Sequence, residues 1–276
     1  MKRSFSTLAC MELSFAQLLE TAVRHGMSGV EIRLDKDQKI CGAGTEKAAA
    51  IREACETAGV TITDLATGVT IQNYNTALME TAKACADLAA AVGCRAIRVF
   101  AGAGVLRFSQ IPPQDEDGIV SFLGELCAYA AGIGVDVWLE THGPFSAAKD
   151  TRRLIDKTGA DNLYALWDFI HTIEYHETPA ESVQILGNRL AHVHLKDGVA
   201  SEDPDSTQYR HTAMGEGEMP VEQVLALLEA ADYSGFLSLE WELPWRPELK
   251  DCYPDTDATL DAYNRWLDSA ESHKTL

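Results

Sequence analysis

The chain has 276 residues, with 23 Lys+Arg against 42 Asp+Glu and a formal net charge of −19. Its 46% hydrophobic and 24% charged residues are those of a globular protein, and the apolar residues run throughout, which excludes a disordered chain. The acidic balance excludes nucleic acid and anionic membranes as partners, because phosphates are held by Lys and Arg; a local basic pocket stays open.

The start, Met1-Lys2-Arg3-Ser4-Phe5-Ser6-Thr7, carries two basic residues, and Glu12 and Gln17 interrupt any apolar core of a signal peptide. No stretch approaches the roughly 20 apolar residues of a membrane span. Seven cysteines, at 10, 41, 55, 85, 94, 127 and 252, are odd in number and form no CxxC pair. Reduced, mostly buried thiols and a cytoplasmic location are expected.

Short β-rich runs alternate with longer amphipathic ones. In chain order, residues 5–9 read as a strand and 15–25 as a helix, then 29–33 and 45–58, 61–67 and 76–92, and 96–100 and 115–133. The second half continues with strand 135–141 and helix 147–157, then 163–168 and 178–186, 190–196 and 220–231, and 236–241 and 257–269. Glycines at 26, 59, 93, 134, 159 and 187 stand just past the helical patterns, where they stop a helix before a strand. Eight β/α units in about 270 residues predict an α/β fold, a single (β/α)8 TIM barrel formed by one domain over residues 1–276. An open doubly wound sheet is the alternative, but no GxGxxG follows its first strand. The longest irregular stretches, 101–114, 197–219 and 243–256, all follow strands, and in a barrel that is the face that carries active sites.

Polar residues end the last four predicted strands. The fifth reads Val135-Asp-Val-Trp-Leu-Glu140-Thr-His142, and the sixth Leu163-Tyr-Ala-Leu-Trp-Asp168-Phe-Ile-His171. The seventh reads Leu190-Ala-His192-Val-His194-Leu-Lys196-Asp197, and the eighth Phe236-Leu-Ser-Leu-Glu240-Trp-Glu242. Carboxylates and an imidazole gathered at a barrel mouth repel one another if unpaired. One divalent cation resolves that, and mixed oxygen and imidazole donors suit Mn2+ first, and also Mg2+, Co2+ or Zn2+.

The motifs LETHG (139–143), WDFIH (167–171), HVHLKDG (192–198), MGEGEMP (214–220) and LSLEWELPWRPE (237–248) resemble the xylose-isomerase-like barrel superfamily of sugar (phosphate) isomerases and epimerases. That superfamily also holds inosose dehydratases and endonuclease IV. The resemblance implies one metal held by Glu140, Asp168, His194 and Glu240. His194 is preferred to His192 because it stands directly before Leu-Lys-Asp.

The family chemistry takes a proton from a carbon next to a carbonyl and stabilises the enediolate with the metal. The resemblance assigns the proton transfers to Glu140 and Glu240, with His142 and His171 well placed to assist. Ketose 3-epimerases resemble Glu-x5-Glu at strand five, whereas Ser146 stands here and His142 takes prominence as in the inosose dehydratase and other lyase branches, which speaks against 3-epimerisation specifically and keeps enolate-type carbohydrate chemistry. The expected function is therefore a metal-dependent isomerase or epimerase of a sugar or sugar derivative. A dehydratase of a keto-cyclitol or keto-sugar, or a 3-keto-glycoside lyase, is the alternative, and a non-catalytic subunit stands behind both.

Lys196, Arg210, His211, Glu216 and Trp245 are the substrate-contact candidates. Glu242 is expected beside Glu240, Arg98 inside the barrel, and Glu31 with Arg33 as a local ion pair. Partners are a small-molecule sugar and, as among relatives, a second or further copies of the chain in a dimer or tetramer.

Overall fold

A computed structural model describes residues 1–34, 40, 45–102, 104, 114–202 and 208–273. Cys41 and the middle parts of stretches 101–114 and 197–219 lie outside them. The strands are β1 (Lys2–Ser6), β2 (Gly29–Arg33), β3 (Thr61–Thr70), β4 (Ala96–Phe100), β5 (Asp136–Glu140), β6 (Leu163–Asp168), β7 (Leu190–Leu195), β8 (Gly198–Ala200), β9 (Tyr209–His211) and β10 (Phe236–Leu239). All but β8 and β9 are parallel neighbours in a closed barrel of order β1-β10-β7-β6-β5-β4-β3-β2. Every residue of β2 and β4 is buried, as a wall covered on both faces requires.

The helices are α1 (Phe15–Arg24), α2 (Thr45–Ala58), α3 (Thr76–Val92), α4 (Glu116–Gly132), α5 (Ala148–Thr158), α6 (Phe169–Glu174), α7 (Pro179–Leu186), α8 (Val221–Ala230) and α9 (Thr256–His273). Ser14 and Gln17 form a reciprocal capping box at α1, as Thr178 and Glu181 do at α7; such caps contribute about 1 kcal/mol each. Gly93 and Gly159 end α3 and α5 in the left-handed conformation, at φ 74° and 69°, which glycine adopts without steric cost. The large core lies between barrel and helices. A separate small cluster of Ala96, Trp138 and Leu166, with Tyr164 and Ala191 against it, plugs the barrel.

Three departures from the sequence pattern matter. The first strand starts at Lys2, because Lys2–Phe5 pair with Phe236–Leu239; residues 7–9 turn instead, with Ser6 capping the turn. Helix α6 follows β6 without a loop, so His171 lies on a helix. The stretch after β7 contains the antiparallel hairpin β8–β9. Among the described residues no helix is long and apolar enough to cross a membrane.

Candidate active site

The site is built by strand ends. Glu140 and Asp168 are the last residues of β5 and β6, His194 is next to last in β7, and Glu240 directly follows β10. The register sets Asp168 beside His194, and His194 beside Ser238, two residues before Glu240. One ligand atom from each of Glu140, Asp168, His194 and Glu240 lies within 4.8 Å of every other. All four side chains are buried.

This donor set fits a divalent cation. Both carboxylate oxygens of Asp168, Glu140 Oε2 and His194 Nδ1 are buried and make no aligned hydrogen bond. Asp168 Oδ2, Glu140 Oε2 and His194 Nδ1 still lie within ion-pair reach of Lys196, Arg98 and Glu240, so a cation held here would share these atoms with charges the chain already supplies. Three carboxylates and an imidazole are a hard-to-borderline set that suits Mn2+, Mg2+, Co2+ or Zn2+.

The protein also brings its own cations to the cluster. Lys196 Nζ lies 2.7 Å from Asp168 Oδ2 and 2.9 Å from Glu242 Oε1, and it also contacts Glu240 Oε2. Arg98 is fully buried, with Nε 3.1 Å from Glu140 Oε2 and its guanidinium 4.0 Å from the Phe100 ring centroid. Burial pushes the Glu140 carboxyl up to about 7, Arg98 resists that shift, and Glu240 adds to it. Burial works against charge on Lys196 as well, yet Asp168, Glu240 and Glu242 hold its pKa well above the ordinary lysine value. Glu240 is held well below the carboxylate range against burial by His194 and Lys196.

Beneath these groups lies a second layer, all of it closed to solvent. Glu31 from β2 places Oε2 2.5 Å from His194 Nε2 and 3.7 Å from His192 Nε2. Burial raises the Glu31 pKa, but His194 outweighs it and holds the carboxyl at about 2. Burial opposes charge on His194, whose pKa Glu240 and Glu31 nevertheless raise well above the ordinary value. His192 stacks on Trp138 at 5.2 Å between ring centroids, and burial drives its pKa down to about 3. His192 is thus a neutral ring in the barrel plug, one layer below His194.

His142 and His171 meet edge to face, with ring centroids 5.2 Å apart, beside Glu140. Desolvation and the neighbouring His171 push the His142 pKa down to about 3. Its Nδ1 lies 3.3 Å from the Gly102 carbonyl. His171 is raised to about 9 against burial, by Asp168 at 3.4 Å from Nε2 and by Glu174 at 2.8 Å from Nδ1. The two neighbouring rings are thus shifted in opposite directions, His142 toward the neutral form and His171 toward the charged form.

The segment after β7 is organised by Asp197. Its carboxylate accepts backbone N–H bonds from Gly198, Gly215, Gly217 and Met219 at 2.9, 2.7, 3.0 and 3.3 Å. A Cβ at Gly217 would stand 2.0 Å from Asp197 Oδ1, so this position of the MGEGEMP motif is closed to any side chain. His211 is buried near Glu242 and Lys196, and burial lowers its pKa to about 3. Arg210 and Glu216 are exposed, outside the cluster. Trp245 is 46% exposed, with the buried Arg33 guanidinium 5.0 Å from its ring centroid. Trp241 turns away from the mouth and packs on Tyr253.

The candidates Glu140, Asp168, His194, Glu240, His142, His171, Lys196 and His211 therefore share one region, with Trp245 near Arg33. Glu31 was not read from sequence as part of it. In sequence it looks like a partner for Arg33, and only barrel closure turns it to His194. One signal was available: an acid inside an otherwise buried strand, Gly29-Val-Glu31-Ile-Arg33.

The family model of the xylose isomerase-like TIM barrel matches residues 19–269. The fructoselysine 3-epimerase of Escherichia coli O157:H7 is 27% identical over 123 residues, 43% of this chain and 42% of that protein. The chain thus spans about two fifths of the length of the curated relative it matches. The probable 3-DHS dehydratase AsbF of Bacillus anthracis superimposes with a TM-score of 0.78 at 21% identity, over 96% of this chain and 99% of that one. D-psicose 3-epimerase of Clostridium cellulolyticum H10, solved with D-tagatose, gives 0.77 at 14% identity over 99% of both chains. At these identities the superpositions establish the shared fold.

Proposed function

Because the chain belongs to the xylose isomerase-like TIM barrel family, we propose that it is a divalent-metal-dependent isomerase or epimerase of a sugar or sugar derivative. The observation that carries this reading is the convergence of Glu140, Asp168, His194 and Glu240 within 4.8 Å at the ends of four barrel strands. These four residues would hold the ion, Mn2+ foremost. When bound, the ion supplies positive charge for the negative charge that develops on substrate oxygen as a carbon next to a carbonyl loses its proton.

The remaining chemistry belongs to the chain. Glu140, whose carboxyl is pushed up by burial against the pull of Arg98 in the absence of metal, is the group proposed to accept and return the substrate proton. Glu240 serves the opposite side of the same carbon. Lys196 and His211 offer polar contacts to substrate hydroxyls, and Trp245 offers an apolar wall for a sugar face. The E. coli fructoselysine 3-epimerase match supports an epimerase over a binding protein.

One observation favours a lyase as second reading. His171, whose charged form burial opposes but Asp168 at 3.4 Å and Glu174 at 2.8 Å favour, lies 5.2 Å from His142 beside Glu140, and an acid there is what expulsion of a β-hydroxyl or aglycone needs. In addition, Ser146 stands where a second strand-five glutamate would, with its hydroxyl donating to the Gly143 carbonyl. NMR in D2O with Mn2+-free and metal-reconstituted enzyme separates the readings. Deuterium entering a ketose with carbon skeleton and oxygens intact is expected for an epimerase; loss of water or aglycone marks a lyase. Absence of metal binding, together with unchanged turnover in Glu140→Ala and Glu240→Ala, overturns both.

A further inference from the structure

We infer that Glu31 is a positioning residue of this centre, turning the His194 ring so that Nδ1 faces the carboxylates while Nε2 is occupied from behind. The inference rests on the metal-site reading above and adds a fifth strand to it. Its basis is geometric. Glu31 Oε2 lies 2.5 Å from His194 Nε2, and the other ring nitrogen lies 3.3 Å from Glu240 Oε2. The two nitrogens sit on different edges of one rigid ring, so committing one to a fixed partner aims the other.

The partner is fixed. Glu31 is in β2, which pairs with β1 and β3 on its two sides, and Glu31, His192 and His194 are all 0% exposed. No bulk water reaches the contact to loosen it. His192 Nε2 lies 3.7 Å from the same Glu31 oxygen, farther than His194 Nε2, so the short contact of Glu31 is with His194. A ligating histidine held in this way usually loses about 10–100-fold in metal affinity when its partner is removed.

The test uses the full chain with Glu31→Ala, Glu31→Gln, His192→Ala and His194→Ala. Mn2+ affinity is measured by chelator competition, Co2+ absorption reports ligand geometry, and 15N-histidine NMR of the Zn2+-loaded protein reports the proton on each His194 nitrogen. Wild type is expected to carry the proton on Nε2. Glu31→Ala is expected to weaken Mn2+ binding about 10–100-fold and lose that signature. Glu31→Gln, whose amide oxygen still accepts Nε2–H, should recover roughly a third or more of the lost affinity on a logarithmic scale, with shifted Co2+ bands. His192→Ala should change affinity less than about threefold, and His194→Ala should lose more than Glu31→Ala.

Wild-type affinity and Co2+ bands in Glu31→Gln overturn the inference even if the alanine variant does not fold. So does a second Mn2+ per chain that Glu31→Ala removes, since Glu31 would then be a ligand. If wild type binds no metal, the metal-site reading falls and this inference with it; if wild type binds and the Glu31 variants match it, only the inference falls.

Discussion

Lys196→Met tests how the cluster balances its charge. The ammonium lies 2.7 Å from Asp168 and 2.9 Å from Glu242 and also touches Glu240, at 1% exposure. At an effective dielectric of about 20, each such contact is worth roughly 6 kcal/mol before desolvation is counted. Desolvating the four charges removes most of that gain, so the net worth of the group is small. Removing one partner is different, because it strands buried carboxylates at a cost of about 3–5 kcal/mol. With about 2–4 °C of melting temperature per kcal/mol for a chain of this size, the metal-free variant should melt roughly 6–20 °C below wild type. A bound dication near Asp168 and Glu240 supplies the missing charge and no longer competes with the ammonium. Wild type should gain about 2.7 kcal/mol at metal concentrations a hundredfold above Kd, and the variant roughly 1–2 kcal/mol more than that, from about tenfold tighter binding. Calorimetric melts in EDTA and in saturating Mn2+ measure both differences. Equal losses with and without metal would refute the compensation argument, and so would a metal-free variant as stable as wild type.

Metal binding should release protons. Against burial, Glu240 and Glu31 keep His194 protonated well above its ordinary pKa, while burial sets Glu140 near 7. Ligands must shed these protons, so affinity falls as pH falls. The logarithm of the Mn2+ association constant should rise by about 2 per pH unit near pH 6 and about 1 near pH 8. Titration calorimetry in buffers of different ionisation enthalpy reads this directly, and a flat profile contradicts it. Gly217→Ala puts a methyl against the Asp197 carboxylate. Loss of one or two charge-assisted bonds should cost about 2–4 kcal/mol and open residues 211–219 to protease; wild-type melting and cleavage refute it. Burial raises the thiol pKa of Cys127 to about 12 and moves Cys94 in the same direction, with side chains 1% and 4% exposed. Mass spectrometry after iodoacetamide should find both unlabelled in the native protein and labelled in urea.

Much of the barrel was legible because alternation and glycine stops are local signals. Gly93 and Gly159 announced the ends of α3 and α5, and the acids closing strands five and six announced the mouth. What stayed hidden depended on closure. The first strand was read a few residues late, since the pairing of Lys2–Phe5 with Phe236–Leu239 joins opposite ends of the chain. The placement of His171 on α6 was missed because no turn residues separate it from β6. Glu31 meets His194 across 163 positions of sequence, and no spacing rule reaches that far. Glu216 and Arg210 looked chemical because the motif around them is specific. In the structure both are exposed, and what the motif visibly does is give Asp197 the amides of its glycines.

The net charge of −19 suggested acids at the mouth that only a metal could neutralise. The structure changes the terms of that reasoning. Glu140 faces Arg98, Asp168 and Glu240 face Lys196, and Glu31 faces His194, so the carboxylates are compensated by the chain itself. A cation entering this cluster does not fill an uncompensated hole; it competes with an ammonium and a proton already there. Selectivity then follows from how far each competitor can move. Lys196 already has a further carboxylate partner in Glu242, 2.9 Å away, to hold it if an ion takes Asp168 and Glu240, whereas Arg98 is stacked on Phe100 beside Glu140. The lysine side of the cluster should therefore yield to an incoming ion, while the arginine side keeps the Glu140 carboxylate fixed. That asymmetry accounts for the separate roles proposed for the two glutamates.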